Sequence, residues 1–462
     1  MMPHSASLLA ASASLALLLA PGLTPPEGVG GGTGWVETQK LLASDGAAGD
    51  EFGISVSVTT GALVVGAYFD DDNGTDSGSA YVFERDAGGT WVETKLLASD
   101  GEAGDEFGYA VSISGHDLVV GAWEDDATFI RQGSVYVFRR DPGGAWVETQ
   151  KLLASDGEEG DIFGGSVSLS GDVLVVGAAG GNGETGAAYV FERDGGGVWV
   201  ETQQLLASDG QDFDNFGTSV SVTTDVIVVG APEDDAPGLD SGSAYVFERD
   251  GGGTWVETQK LLASDGAASD IFGVSVPTTG DVIVVGAVFD DDNGTDSGSA
   301  YVFERDGGGT FVETQKVLAS DGAAGDNFGY SVSLSGDALV AGAWAHDDNG
   351  TDSGSAYVFE RDGGGAWLET QELLASDGAE GDFFGSSVSM TADALAVGTS
   401  LGIFHPVRGE VEPRSDSRGL VRAARGHDGN GADAGSAYVF AFQLFSDGFE
   451  SGDTSAWSST VP

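Results

Sequence analysis

Aspartate carries most of the chemistry this sequence could do, and its spacing is regular. Seven pairs stand five residues apart: Asp45/Asp50, Asp100/Asp105, Asp156/Asp161, Asp209/Asp214, Asp265/Asp270, Asp321/Asp326 and Asp377/Asp382. A denser run, Asp70-Asp71-Asp72-Asn73-Gly74-Thr75-Asp76, returns at 290–296 and nearly so at 346–352, where His346 leads. Loops this rich in oxygen suit a hard cation, so Ca2+ is the candidate cofactor. Its candidate ligands are Asp70, Asp71, Asp72, Asn73 and Asp76, then Asp290, Asp291, Asp292, Asn293 and Asp296, then Asp347, Asp348, Asn349 and Asp352. An EF-hand loop is excluded. With Gly74 at its sixth position, Phe69 would stand first and Ala80 twelfth, and neither side chain can ligate a cation. Asp, Asn and Gly also build turns and keep a face soluble, so a purely structural use of these loops stands beside the metal reading.

Aromatic side chains offer a second kind of chemistry. Tyr68, Trp123 and Trp344 fall at one repeat position, where the other copies, among them Ala179, Pro232 and Val288, carry no aromatic ring. Such a ring could stack on a sugar or grip a partner's side chain, or it could pack between loops. Catalysis is not expected. The five histidines fall at unrelated repeat positions, and there is no G-x-S-x-G elbow, H-E-x-x-H helix or phosphate loop. Paired carboxylates can hydrolyse glycosides, but no pair is singled out here.

The elements that position these residues repeat. Phe-Gly recurs at Phe52, Phe107, Phe163, Phe216, Phe272, Phe328 and Phe384, at steps of 53 to 56 residues. Each copy reads as four strands. Strand A is FGISVSV (52–58), alternating with period two. Strand B is LVVGA (63–67), apolar throughout. Strand C is SAYVFERD (79–86), and strand D is of the WVETQKLLA type (35–43). Seven radial four-stranded sheets make a β-propeller, with an open solenoid as the alternative. The expected fold is all-β, a seven-bladed propeller of antiparallel four-stranded blades with strand A innermost and D outermost. The chain starts on a D strand and ends its repeats on a C strand. The segment 35–43 should therefore complete the last blade and close the ring, removing two exposed sheet edges. The D–A and B–C loops then share one face, which gathers the acid. The other face carries tight turns. Trp35, Trp91, Trp146, Trp199, Trp255 and Trp367 open D strands and read as packing between blades.

The pattern FG-x-S-V-S, VGA, G-S-A-Y-V-F resembles the FG-GAP repeat of integrin α-subunit propellers. It is closest to the bacterial secreted variety with W-x-E-x-Q-K-L-L-A-S-D-G between repeats. The resemblance covers about residues 35 to 440 and implies the propeller fold. In integrin blades the calcium loops join strands A and B. Here those connections are tight turns, so the family's calcium sites do not carry over.

Residues 1–23 read as a secretory signal, with a short apolar core at Leu8–Ala20 and His4 in place of a basic flank. Residues 24–34 form a Pro/Gly linker, 35–443 the propeller and 444–462 a tail. The last copy holds an insertion at 401–427 with Arg408, Arg414, Arg418, Arg422 and Arg425. The net charge of −56 repels nucleic acid and anionic lipid. No segment of the mature chain is long and apolar enough to cross a membrane. With no cysteine, disulfides and thiolate metal sites are excluded. The expected protein is monomeric, extracellular or at the cell surface. It is a non-catalytic binding or adhesion module that takes a protein or glycan ligand on the acidic face. A structural envelope or matrix component, and a carbohydrate-binding or glycan-degrading propeller, are the alternatives.

Overall fold

The computed structural model describes residues 34–86, 89–400 and 434–443. The expected signal segment, nearly all of the linker, the insertion at 401–427 and the tail lie outside them. Strands follow one another as hairpins into seven antiparallel sheets. In the first blade, strand A is Phe52–Val58, B is Ala62–Ala67, C is Ser79–Arg85 and D is Trp91–Leu96. The seventh is built from both ends of the chain. Ser387–Met390, Ala394–Gly398 and Ala437–Gln443 take the N-terminal strand Gly34–Leu41 as their outer edge. Register runs from Gly34 opposite Gln443 to Leu41 opposite Ala437. The ring is closed as expected.

The core lies between blades. Strand B is buried at every residue of Ala62–Ala67 because a sheet covers each of its faces. Val64 packs with Leu118, Val120 and Tyr136 of the second blade. Leu63 and Val65 pack with Ala396 and Val439 of the seventh. Each such side chain contributes about 1.5–3 kcal/mol by leaving water. Phe52 is fully buried, edge-on to Tyr81 and Phe83 at centroid distances of 5.4 and 6.0 Å.

Two glycines set how close the blades come. A Cβ on Gly66 of strand B would fall on the carbonyl oxygen of Gly108, the Phe-Gly glycine of the next blade. The same approach recurs at Gly121/Gly164, Gly177/Gly217, Gly230/Gly273, Gly286/Gly329, Gly342/Gly385 and Gly398/Gly53. Gly53 also has φ +106°, a conformation that side chains disfavour.

Serine explains the alternation in strand A. One serine of an inner strand accepts a backbone N–H from the following blade, while another donates to its glycine carbonyl, as Ser55 does to Gly108 at 2.9 Å. Ser57 takes Ile113 at 3.2 Å, Ser112 takes Leu169 at 3.1 Å, Ser168 takes Val222 at 3.1 Å and Ser221 takes Thr278 at 3.2 Å. Ser333 takes Met390 at 3.0 Å, and Ser389 returns to Val58 at 3.1 Å. The fifth blade departs from the expected four strands, because its sheet has three: Val282–Ala287, Ser299–Arg305 and Phe311–Val317. Pro277 stands where the others have serine. It lacks the N–H the ladder needs. The inner segment stays in place through Val284 N–H to Pro277 O and Gly286 N–H to Ser275 O, both 3.0 Å. The link to the sixth blade shifts to Ser275, which accepts from Val332 at 3.1 Å.

The D-strand motif closes the outer rim. Gln150, Gln203, Gln259, Gln315 and Gln371 each bond both the N–H and the carbonyl of the aromatic residue opening the next D strand. Its glutamate accepts twice from a serine of the preceding loop, as Glu93 does from Ser44 at 3.0 and 2.6 Å. Glu37 and Ser376 make that pair across the closure.

Gly230→Ala forces a methyl onto the Gly273 carbonyl. It should cost about 2 kcal/mol or more, as overpacking does. Gly307→Ala meets no atom within 4 Å and should stay within about 0.5 kcal/mol. Urea melts of the two variants check this. Equal effects would show that the blades can move apart at no cost.

Candidate functional site

The acidic face is assembled from two loops per blade, and a backbone ladder fixes them together. Gly104, Glu106 and Phe107, in the loop entering the second blade, donate N–H to Thr75, Asp76 and Ser77 of the first blade's B–C loop at 2.9, 3.2 and 3.0 Å. Loops tied in this way hold their side chains in fixed places.

Within the blades, up to four positions converge. In the first, Lys95 Nζ lies 2.9 Å from Asp45, 2.8 Å from Asp70 and 2.6 Å from Asp72. All three ammonium protons are used. The Tyr81 hydroxyl sits 2.9 Å from Asp45 and 2.8 Å from Asp70. Lys316 repeats this with Asp265, Asp290 and Asp292 at 3.0, 2.7 and 2.7 Å. Lys151 holds Asp100 and Asp125, Lys260 holds Asp209 and Asp234, and Lys40 holds Asp377. Every one of the chain's five lysines serves such a unit. Gln204 takes the place in the third blade, 3.1 Å from Asp156, and a short turn at Gly181–Glu184 replaces the acidic loop.

The predicted cation ligands therefore divide. Asp70 and Asp290 are buried against lysine and tyrosine, and each accepts an N–H two residues on. Asp71, Asp291 and Asp347 accept the N–H of Asp76, Asp296 and Asp352 at 2.8 Å. Asn73, Asn293 and Asn349 donate across to Ala98, Ala319 and Ala375. Asp72 and Asp292 reach the lysine from the exposed side, and Asp348 is exposed. The lysine and tyrosine partners went unread in the sequence, although both recur with the repeat.

The second aspartate of each pair has another task. Asp50, Asp105 and Asp161 are buried and accept the N–H three residues back, at 2.6 to 2.7 Å. Burial pushes Asp105, Asp214 and Asp270 up to about 6. For Asp45 burial also acts upward, but hydrogen bonds from Lys95 and Tyr81 outweigh it and hold the carboxyl below its usual value.

The centre of the face is aromatic on one side. Tyr68 is buried against Phe69 at 3.9 Å and Tyr109 at 5.6 Å. Tyr109 stacks on Trp123 at 4.7 Å. Trp344 lies apart from these three, 6.4 Å from Tyr330 and 5.5 Å from Phe383. The three candidate aromatics thus do not form one platform. The residue before each Phe-Gly takes a left-handed conformation, from Glu51 at φ 57° to Phe383 at φ 54°. Seven repeats of that strain make it part of the turn into strand A. Glu106 is one of these residues. It accepts from Trp123 Nε1 at 2.5 Å, and burial still pushes its carboxyl up to about 8.

Sevenfold regularity ends in blades two to four. Phe129, Ile130, Phe213 and Leu239 are exposed on their loops, Leu239 by 60%. Phe213 and Leu239 line a pocket of about 360 Å³ with Asp212, Glu233, Asp235 and Asp240.

The fold and its interblade contacts define a closed seven-bladed propeller with a lysine-braced acidic face. Residues 35–83, 91–138, 146–191, 199–247, 255–303, 311–359 and 367–403 each match the FG-GAP repeat family. The chain belongs to that family. Each matched stretch begins on the D strand of one blade and ends with or before the C strand of the next, the same offset that closes the ring. No curated protein matches the sequence. Among solved structures, one from Lactobacillus plantarum is similar at 13% identity and a TM-score of 0.44, covering 71% of this chain and 86% of its own. The periplasmic gluconolactonase PpgL of Pseudomonas aeruginosa is similar at 16% identity and a TM-score of 0.41, with the same coverage. Neither likeness carries an argument about what this chain does. No helix among the described residues is long and apolar enough to cross a membrane.

The shifted carboxyls set a pH profile. Groups raised by burial, Asp105, Asp214, Asp270 and Glu106, favour the fold while protonated. That contribution is lost as pH rises through about 6 and about 8. Groups held low, Asp45, Asp100, Asp209 and Asp265, lose theirs when pH falls below their depressed values. Stability should peak near pH 4, below which the depressed groups protonate and above which the contribution of the raised groups declines. Tm at constant ionic strength should fall from pH 5.5 to 8.5, and Glu106→Gln should flatten the upper part of that fall. A Tm that rises over this range would contradict the assignment.

Proposed function

We propose that this chain is an exported, non-catalytic binding or adhesion module holding a protein or glycan ligand on its acidic face. The pocket beside Phe213 and Leu239 supports this most directly. Exposed apolar side chains among carboxylates offer contact area and charge together, at the place where the face departs from its repeat. The ligand chemistry that fits is cationic or hydroxyl-rich with an apolar edge. Carboxylates tied to lysine, tyrosine or backbone N–H groups favour a fixed recognition surface over proton transfer. A structural envelope role would leave the pocket without use.

Saturable binding to basic peptides or arrayed glycans tests the proposal. Phe213→Ser with Leu239→Ser should weaken the ligand found by about tenfold or more. Val200→Ser with Val256→Ser, on exposed outer-strand positions, should leave it unchanged. Binding that follows net charge alone, equal in both variants, would overturn it. One observation favours a glycan-degrading reading: Glu106, protonated at neutral pH beside Trp123, has the character of a general acid. Release of reducing ends that stops in Glu106→Gln would establish that reading instead.

Calcium belongs to the same proposal through the exposed carboxylates of Asp71, Asp72, Asp291 and Asp292. Any ion there competes with the Lys95 or Lys316 ammonium. Millimolar calcium should raise Tm more than magnesium at matched ionic strength, because magnesium sheds water reluctantly. Asp71→Asn with Asp72→Asn should reduce the difference. Equal responses to both ions in parent and variant would end the calcium reading.

A further inference from the structure

The sixth blade changes the lysine-braced unit at two of its positions. His346 stands where Asp70 and Asp290 stand, and Glu372 stands where Lys151, Lys260 and Lys316 stand. Asp321 keeps the place of Asp45 and Asp265, and Tyr357 still bonds it at 2.9 Å. The unit thus keeps the shape that grips a cation elsewhere but has lost its own ammonium.

We propose that Asp321, His346 and Glu372 form a binding site for a first-row divalent metal ion of the zinc class. One nitrogen of the imidazole and one oxygen from each carboxylate lie within 4.8 Å of one another. Ligand atoms about 2.1 Å from a zinc ion in tetrahedral geometry lie some 3.4 Å apart, so any tightening the site needs is at most about 1.4 Å. Asp321 is exposed and Glu372 half-buried, so both can make that movement. His346 is 6% exposed and fixed. Its Nδ1 meets Ser355 Oγ at 3.1 Å, and the same hydroxyl donates to Glu372 at 3.0 Å. Its Nε2 has Asp326 Oδ2 at 3.8 Å, beyond hydrogen-bond length. A buried imidazole is thus left with a ring nitrogen not hydrogen-bonded to its acidic neighbour.

The donor set selects the metal. Imidazole with two carboxylates suits zinc and its neighbours in the first row, whereas calcium and magnesium prefer oxygen alone. Asp326 lies beside His346 and the Asp348 charge acts on Glu372, so both add negative potential at the site. The other positions of the repeat are an internal control, since Lys95 and Lys316 show a positive charge bound at the same place by the same loops.

The test is isothermal titration of the full chain with Zn2+ after EDTA and dialysis, at pH 7.5 in 2 mM Ca2+. The double variant His346→Asp/Glu372→Lys rebuilds the unit of the fifth blade, so it should fold and melt like the parent. The expected result is one zinc ion per chain at micromolar affinity, lost or weakened at least thirtyfold in the variant. Zinc should also raise the Tm of the parent alone. The variant keeps His4, His116, His405 and His427, so zinc held elsewhere would leave the stoichiometry unchanged. That outcome would overturn the site, as would a parent that takes up no zinc.

Discussion

Contact between two glycine backbones, repeated at each boundary of the ring, is the constraint on which the rest depends. A sheet cannot approach another so closely along its inner edge if either strand carries a Cβ there. The glycine of strand B and the glycine after each phenylalanine meet for that reason. Their approach brings the inner strands within reach of each other's serines, and the hydroxyls then bond N–H groups that would otherwise face a narrow channel unsatisfied. The seventh boundary is made by residues far apart in sequence, Gly398 and Gly53. The N-terminal strand completes the seventh blade and leads directly into the first, so it joins the two blades that meet at that boundary.

The chain's acidity looks different once the pairs are placed. A net charge of −56 suggests a face of free carboxylates. In the described structure many of them hold lysines, tyrosine hydroxyls or turn N–H groups. Hydrogen bonds that Lys95 donates to Asp70, Asp72 and Asp45 outweigh burial and keep it above its usual value, so that positive charge is fixed. Five lysines distributed one to a blade cannot neutralise seventy-four acids. They answer one or more carboxylates in each of five blades, while the buried second aspartate of a pair, such as Asp50 or Asp105, is met by a backbone N–H. The result is a face stiff enough to present side chains and charged enough to remain dispersed.

The fold was legible because its signal is periodic. Repeat spacing, the doubly buried LVVGA type of strand and the phase of the first and last strands each pointed to a closed propeller. Pro277 could also have been read, since a proline in an inner strand removes a ladder bond whatever its surroundings. The site was less legible. A run of aspartates looks the same in sequence whether it faces water, caps a turn or surrounds a lysine. The difference lies in Lys95, which follows Asp70 by a whole hairpin and joins it only when strand D folds back beside strand C. Tyr68 and Trp123 came together through Tyr109, a residue of strand A that the aromatic pattern in strand B did not include.

Repetition also shows where to look for function. A closed ring fixes each blade by its neighbours on both sides, so a loop substitution can be tolerated without altering the strands beneath it. Departures from the repeat then report what a loop does beyond supporting the fold. The turns on the opposite face are uniform, each C–D turn from Asp141 onward being closed by an aspartate that accepts an N–H four residues on. The acidic face is where the copies differ. Phe213 and Leu239 stand out in the fourth blade, a helical turn replaces the loop in the third, and imidazole and glutamate replace aspartate and lysine in the sixth. A scaffold whose strands repeat while one set of loops diverges resembles other binding folds, in which rigid sheets carry variable connections. By that reasoning the proposed binding function rests on the acidic face, and its irregular blades are the places to test for a ligand or an ion.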